Sequence, residues 1–155
     1  SRHREKGDLH NTIKLLTMFI NDQDYKTVIG EQALKVVSQV SSENRRIAEQ
    51  QAIEEIAGYL RPIYDTVEIF QMQGEDRNKL IVMYTCDIAI YHMAASTPQK
   101  MGMDIRKERY ERAVKWLEQV QAGKVMPDLP RTQQHDGTQQ TYFKYGSQKP
   151  LKHNW

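Results

Sequence analysis

Along this chain, stretches in which apolar residues return every three or four positions alternate with short polar interruptions. That is the pattern of successive amphipathic helices rather than of strands. Asn21 or Asp22 offers a side-chain cap to a short first helix, and Gly30 suits the left-handed position just past its end. The stretch 31–40 places Leu34, Val37 and Val40 at helical spacing. Ser41 and Ser42 then make a turn and an N-cap. They open a helix over 43–60 whose apolar positions are Ile47, Ile53, Ile56, Ala57, Tyr59 and Leu60, and Pro62 stops it. Residues 63–74 alternate loosely and suit a short strand or an ordered loop. The strongest pattern runs from Glu75 to Ser96, where Leu80, Ile81, Tyr84, Ile88, Tyr91 and Ala95 form one stripe. Val82, Met83, Cys86, Ile90 and Met93 form a second. A helix that is apolar on two faces belongs at the centre of a bundle. Pro98 and Gly102 close it. A last helix follows an Asp104 cap, carries Tyr110, Ala113, Val114, Trp116, Leu117 and Val120, and ends at Gly123 with Pro127 shortly after.

The fold class expected from this pattern is all-α, a small bundle of about four to five helices with extended N- and C-terminal arms. The chain divides into an N-terminal extension (1–17), a helical domain (18–127) and a C-terminal arm (128–155). After Pro130 the periodicity is lost, and the sequence becomes rich in Gln, Thr, Lys and Gly. It still holds Tyr142, Phe143, Tyr145 and Trp155, four of the thirteen aromatic residues. Aromatic residues spaced through a polar arm are what a segment needs to dock on a partner, each filling a pocket. Fully extended, the arm reaches on the order of 80 Å.

Composition narrows the function classes. With 155 residues, 39% hydrophobic and 27% charged, the chain reads as a soluble domain able to bury a core without staples. Cys86 is the sole cysteine, which excludes an internal disulfide framework and a cysteine-based zinc cluster. The run from Leu80 to Ala95 is too short to span a bilayer, and no signal-peptide pattern opens the chain, so an intracellular protein without a membrane partner is expected. The net charge is +2, distributed as +2 over residues 1–14, −3 over 15–123 and +3 over 124–155. Two basic ends flank a mildly acidic body, an asymmetry that falls well short of a nucleic-acid-binding stripe.

Catalytic and metal-binding arrangements fail on spacing. Cys86 and His92 lie six residues apart, about 240° around one helix, so their side chains diverge. Cys86 reads as a small core residue, Asp87 as a structural polar contact or a residue facing a neighbouring subunit, and His92 as a ligand only with partners from elsewhere. Glu54 and Glu55 point about 100° apart and do not share a proton. The five histidines, at 3, 10, 92, 135 and 153, have no metal-ligand spacing. The stretch RKERYER (106–112) reads as a solvated face with Lys107–Glu111 and Glu108–Arg112 pairs. No phosphate loop, dinucleotide turn or nucleophile elbow occurs, so the expectation is a protein that is not an enzyme and carries no cofactor or metal.

Four segments together resemble a known family: DYKTVIGE (24–31), AIEEIAGYLRPIYD (52–65), CDIAIYHM (86–93) and RYERAVKWLEQVQAGKV (109–125). In order and spacing they are similar to the Mu-like tailed-phage head–tail adaptor proteins, also called head-completion or connector proteins. The resemblance covers roughly residues 18–127. The seventeen residues before Met18, with apolar positions at Leu9, Ile13 and Leu16, and the length of the tail depart from the family pattern.

The resemblance implies a virion protein at the capsid vertex, assembled in the host cytoplasm. It would be one subunit of a twelve-membered homo-oligomeric ring that docks beneath the portal protein, extends the DNA channel and meets a stopper or tail-completion protein. DNA would pass during packaging and ejection without specific binding. The arm, through Tyr142, Phe143, Tyr145 and Trp155, would reach onto the portal, and repeated weak docking on a symmetric partner would act as a multivalent clamp. Met83, Met93, Met101 and Met103 are candidates for adaptable contacts between subunits. Two other classes remain open. A nucleic-acid-binding helical module would grip phosphates with its basic ends and lose affinity steeply with salt. An enzyme would assemble a site between subunits around Asp87 or His92.

Overall fold

The computed structural model describes residues 19–95 and 103–133. Within them the chain forms α1 (Asp22–Ile29), α2 (Glu31–Gln39), α3 (Ser42–Leu60), α4 (Thr66–Gln71), α5 (Lys79–Ala95) and α6 (Met103–Gln121), with a 3-10 turn at Gly74–Asp76. There is no strand among the described residues, and a lone antiparallel bridge joins Tyr64 to Arg131. The fold is the expected all-α bundle with one short helix more. The 1–17 extension, the Pro98–Gly102 break and the arm beyond Gln133 lie outside the described residues.

The helix ends follow the capping chemistry of the sequence. Asn21 Oδ1 accepts from the Asp24 N–H at 3.0 Å while Asp24 Oδ2 accepts from the Asn21 N–H at 2.8 Å, a reciprocal capping box for α1. Ser41 Oγ accepts from the Asn44 N–H at 3.2 Å to open α3. Gly30 is at once the end of α1 and the start of α2. Its φ of 86° and ψ of 176° lie in a positive-φ extended region that is open to glycine alone. That is a sharper reversal than the left-handed helical cap expected there.

Three expectations need correction. Residues 63–74 are neither strand nor loop throughout, because α4 occupies Thr66–Gln71. Asp65 Oδ1 caps it through the Glu68 N–H at 3.0 Å, and Thr66, Ile69 and Phe70 turn inward at helical spacing. Six residues are too few to display a period, so the signal was the cap rather than the pattern. Helix α5 starts at Lys79 rather than Glu75. Asn78 Oδ1 accepts from the Leu80 and Ile81 N–H groups at 3.0 and 3.2 Å and sets that boundary. Asp104 lies inside the first turn of α6, where its charge favours the helix N-terminus, rather than ahead of it.

Helix α5 is the axis of the bundle, packed against α1, α2, α3 and α6. Ile81, Cys86, Ile88 and Ala89 are wholly buried, and Thr85 turns its hydroxyl back onto the Ile81 carbonyl at 2.6 Å. Helix α3 presents Ala48, Ala52, Ile56 and Leu60 inward, small residues at the first two positions and large ones at the last two. Helix α6 supplies Ala113, Leu117 and Val120. Ile47 and Leu80, expected in the apolar rows, are 39% and 43% exposed, because each sits one position off the row facing α5 or α3. Past Pro127 the chain stays on the body. Leu129 is buried, the Asp65 N–H donates to the Pro130 carbonyl at 2.8 Å, and the Thr132 N–H donates to the Ile63 carbonyl at 3.0 Å.

The two glycines Gly30 and Gly58 should respond oppositely to alanine. A Cβ at either meets nothing within 4 Å, so only the backbone decides. Gly30→Ala is expected to cost about 1–3 kcal/mol for its conformation, whereas Gly58→Ala, inside α3, is expected to gain about 0.4–1 kcal/mol. Urea unfolding of the two variants checks both signs.

Candidate functional site

The polar side chains that chemistry would require are engaged in holding helices together. Arg77, just ahead of α5, reaches back to α1. Its Nη1 donates to Asp24 Oδ2 at 2.6 Å and to the Phe19 carbonyl at 2.7 Å, and its Nη2 donates to Asp24 Oδ1 at 3.0 Å. Its guanidinium also lies 5.9 Å from the Phe19 ring centre. This paired-fork geometry is the strong form of an ion pair. It ties the entry of the chain into the core to the start of its central helix.

A second cluster joins α1 to α3. The Tyr25 hydroxyl donates to Glu49 Oε1 at 2.8 Å, and Arg45 donates to the same oxygen at 3.0 Å and to Asp22 Oδ1 at 2.6 Å. Burial, then the adjacent Glu49 carboxylate, pushes the Tyr25 hydroxyl far above the usual tyrosine range. Glu49 is therefore a fixed acceptor, with two donors on one oxygen.

Asp87 is the structural contact of the two readings weighed for it. Arg109 of α6 donates to its Oδ1 at 2.6 Å, and the Asp87 side chain is 3% exposed. Burial raises the Asp87 carboxyl above its ordinary range, and Arg109 partly offsets that. Glu54 and Glu55 diverge as their adjacency requires. Glu54 pairs with Arg61 at 3.1 Å. Glu55 accepts from the Tyr110 hydroxyl at 2.7 Å and lies 3.6 Å from His92 Nε2. Tyr110 in turn stacks on Tyr91 with ring centres 4.1 Å apart. His92 is thus placed beside a carboxylate and two rings, and among the described residues no three histidine, cysteine, aspartate or glutamate side chains converge as metal ligands. Cys86 is wholly buried, and burial pushes its thiol well above the usual range.

The 106–112 stretch is only half the solvated face expected. Lys107–Glu111 and Glu108–Arg112 pair at 4.0 and 3.7 Å on the outside, but Arg109 and Tyr110 turn inward to the clamps just described. A run of charges gives no indication of which member meets a buried carboxylate on another helix. The sequence alone therefore shows no sign of these clamps.

Among the described residues two surface depressions stand out. One, of about 540 Å³, lies between α1, the 3-10 turn and the start of α5, lined among others by Thr27, Val28, Lys79, Val82 and Met83. The other, of about 220 Å³, lies between α3 and α4 and is lined mainly by Ile53, Ala57, Val67 and Phe70. Of the methionines proposed for contacts between subunits, Met83 is half-buried at the first depression. Met93 is 1% exposed, inside the chain's own core, and drops out as a surface contact. Met103 opens α6, and Met101 lies outside the described residues, as do Tyr142, Phe143, Tyr145 and Trp155.

Two outcomes test the clamps. Arg109→Met strands the Asp87 carboxylate and is expected to cost about 3–5 kcal/mol in urea unfolding, most of it recovered when Asp87→Leu is added. Cys86 is expected to react with a thiol reagent only as fast as the chain unfolds, so labelling and unfolding rates measured at several urea concentrations should coincide.

No helix among the described residues is long and apolar enough to cross a membrane. No curated protein and no solved structure gives a significant match. Residues 16–144 match the family model described as Bacteriophage Mu, Gp36, a span that takes in all six helices and continues into the arm through Tyr142 and Phe143. On that match the chain belongs to the Bacteriophage Mu Gp36 family of phage proteins.

Proposed function

We propose that this phage protein is a structural subunit of the head–tail connector. Copies form a ring that docks on the portal protein, extends the DNA channel and presents its far side to a stopper or tail-completion protein. The observation that carries the reading is the family match over residues 16–144, which unites the bundle and the aromatic part of the arm in one phage family.

The physical design supports an assembly role. A connector subunit must hold its shape while neighbours and partners load it. Here α1, α3, α5 and α6 are locked to one another by charge-assisted bonds as well as by apolar burial. Buried ionisable side chains that a catalyst would free for substrate, such as Glu49 and Asp87, are spent on those locks. Tyr142, Phe143, Tyr145 and Trp155 are the portal-docking anchors of this reading. Twelve copies of such an arm on a twelve-fold partner convert weak single contacts into a durable attachment.

The test is co-sedimentation with assembled portal rings from the phage that encodes the chain. The full chain is expected to pellet with the rings, and a full-length variant with Tyr142, Phe143, Tyr145 and Trp155 all changed to alanine is expected to stay in the supernatant. If neither pellets, the connector reading fails. If both do, the arm is not the anchor.

A further inference from the structure

The depression between α3 and α4 is an apolar slot whose size and position suit part of this same chain. At about 220 Å³ it is smaller than the pockets that hold small-molecule ligands, and its volume is that of a few side chains at most. Ile53 and Ala57 form one wall and Val67 and Phe70 the other. Val67 is 66% exposed on a helix whose remaining apolar residues are buried, so it lacks a cover within the described residues.

The C-terminal arm departs from the end of this slot. The Asp65 N–H holds the Pro130 carbonyl, Arg131 bridges to Tyr64, and the Thr132 N–H holds the Ile63 carbonyl. The two hydrogen bonds, which together make the Tyr64–Arg131 bridge, fix the arm to the connection between α3 and α4. Arg61 and Thr66, at the two ends of that connection, line the slot. The described chain leaves at Gln133. Tyr142 and Phe143 follow nine and ten residues later, a tether that spans on the order of 30 Å. Helix α4 is only about 9 Å long, so the tether reaches any point of the slot. An intramolecular anchor on so short a tether has an effective concentration on the order of millimolar. At that concentration an affinity of about 1 mM holds the arm half of the time, and Phe143 reaches it only with Tyr142 and Tyr145 contributing beside it.

We infer that in the free subunit the arm folds back and seats Phe143, flanked by Tyr142 and Tyr145, in the α3–α4 slot of its own chain. The arm is then self-docked, and the residues assigned to the portal must leave the slot before they engage it. The meaning of that release rests on the connector reading, whereas the seat itself is tested without any portal.

The experiment attaches a nitroxide to the full-length Gln139→Cys variant, the native Cys86 being wholly buried, and reads amide signals in an isotopically labelled sample. Loss of signal intensity is expected at Ala57, Val67 and Phe70 and not around Met83. Adding Val67→Glu or Phe143→Ala is expected to weaken the loss to the residual that the tether alone imposes, since residue 139 stays within about 20 Å of Gln133; a loss that neither substitution changes overturns the inference. Spin-labelled protein without isotope, mixed with isotopically labelled protein without nitroxide, is expected to produce no loss. The inference is overturned if the slot signals keep their intensity, or if the loss appears equally in the mixed sample, which would make a second copy the occupant. It also fails if a nitroxide at Lys14→Cys produces the loss and one at Gln139→Cys does not, since the N-terminal segment would then fill the slot. Portal co-sedimentation is independent of all these outcomes, so failure of either reading is visible separately.

Discussion

Helix α5 has eleven of its seventeen residues buried, and a segment so apolar around its circumference leaves the chain little choice but to wrap it with other helices. That one requirement sets the architecture. Helices α1, α2, α3 and α6 all lean on it. Ala52 and Ala57 of α3, together with Ala113 of α6, are small enough for close approach, while Ile56, Leu60 and Leu117 fill the space between. Each fully buried isoleucine or leucine contributes roughly 1.5–3 kcal/mol by leaving water. The non-directional part of the stability therefore concentrates along this axis.

Burial of that extent creates a second constraint. A central helix cannot be made entirely of hydrocarbon and still meet its neighbours in one register, and the polar groups placed along the seams answer this. Asp87 faces Arg109, Glu49 takes Tyr25 and Arg45, Glu55 takes Tyr110, and Arg77 holds Asp24. Each pair joins two helices or a helix to its lead-in. Breaking one on one side is costliest at Asp87 and Glu49, whose side chains are almost wholly shielded from water. The apolar core favours collapse, and the clamps discriminate among collapsed arrangements. For a protein proposed to sit between a capsid and a tail, a single well-defined shape matters more than a reactive centre.

The arm extends this logic to the surface. Its first residues are hydrogen-bonded to the α3–α4 connection, and the slot beside that connection is apolar, small and uncovered by the described residues. The body thus fixes where the arm begins. The family match carries Tyr142 and Phe143 along with the bundle, since the matched span ends at residue 144. In the proposed connector, bundle and arm make one functional unit: the bundle positions and the arm attaches.

By itself the sequence determined five of the six helical stretches, where most of them start and stop, and which helix is central. Those properties are local: Asn21, Ser41, Gly30 and Gly123 act on their own neighbours, and the two apolar stripes of α5 are written in consecutive residues. It also determined that Glu54 and Glu55 diverge, because that follows from helix geometry alone. What the tertiary structure decided is everything that depends on two distant segments meeting. The sequence reads Arg109 and Tyr110 as part of a charged surface, and only the packing of α6 on α5 and α3 reveals the carboxylates they serve. Arg45, Arg77 and Asp24 likewise acquire their roles from partners more than twenty residues away. Met93 looks the same as Met83 in the sequence until the bundle closes over one and leaves the other half open. Helix α4 was hidden for a different reason: six residues hold less than two turns of pattern, and its existence depends on the cap at Asp65 and on the core into which Ile69 and Phe70 turn.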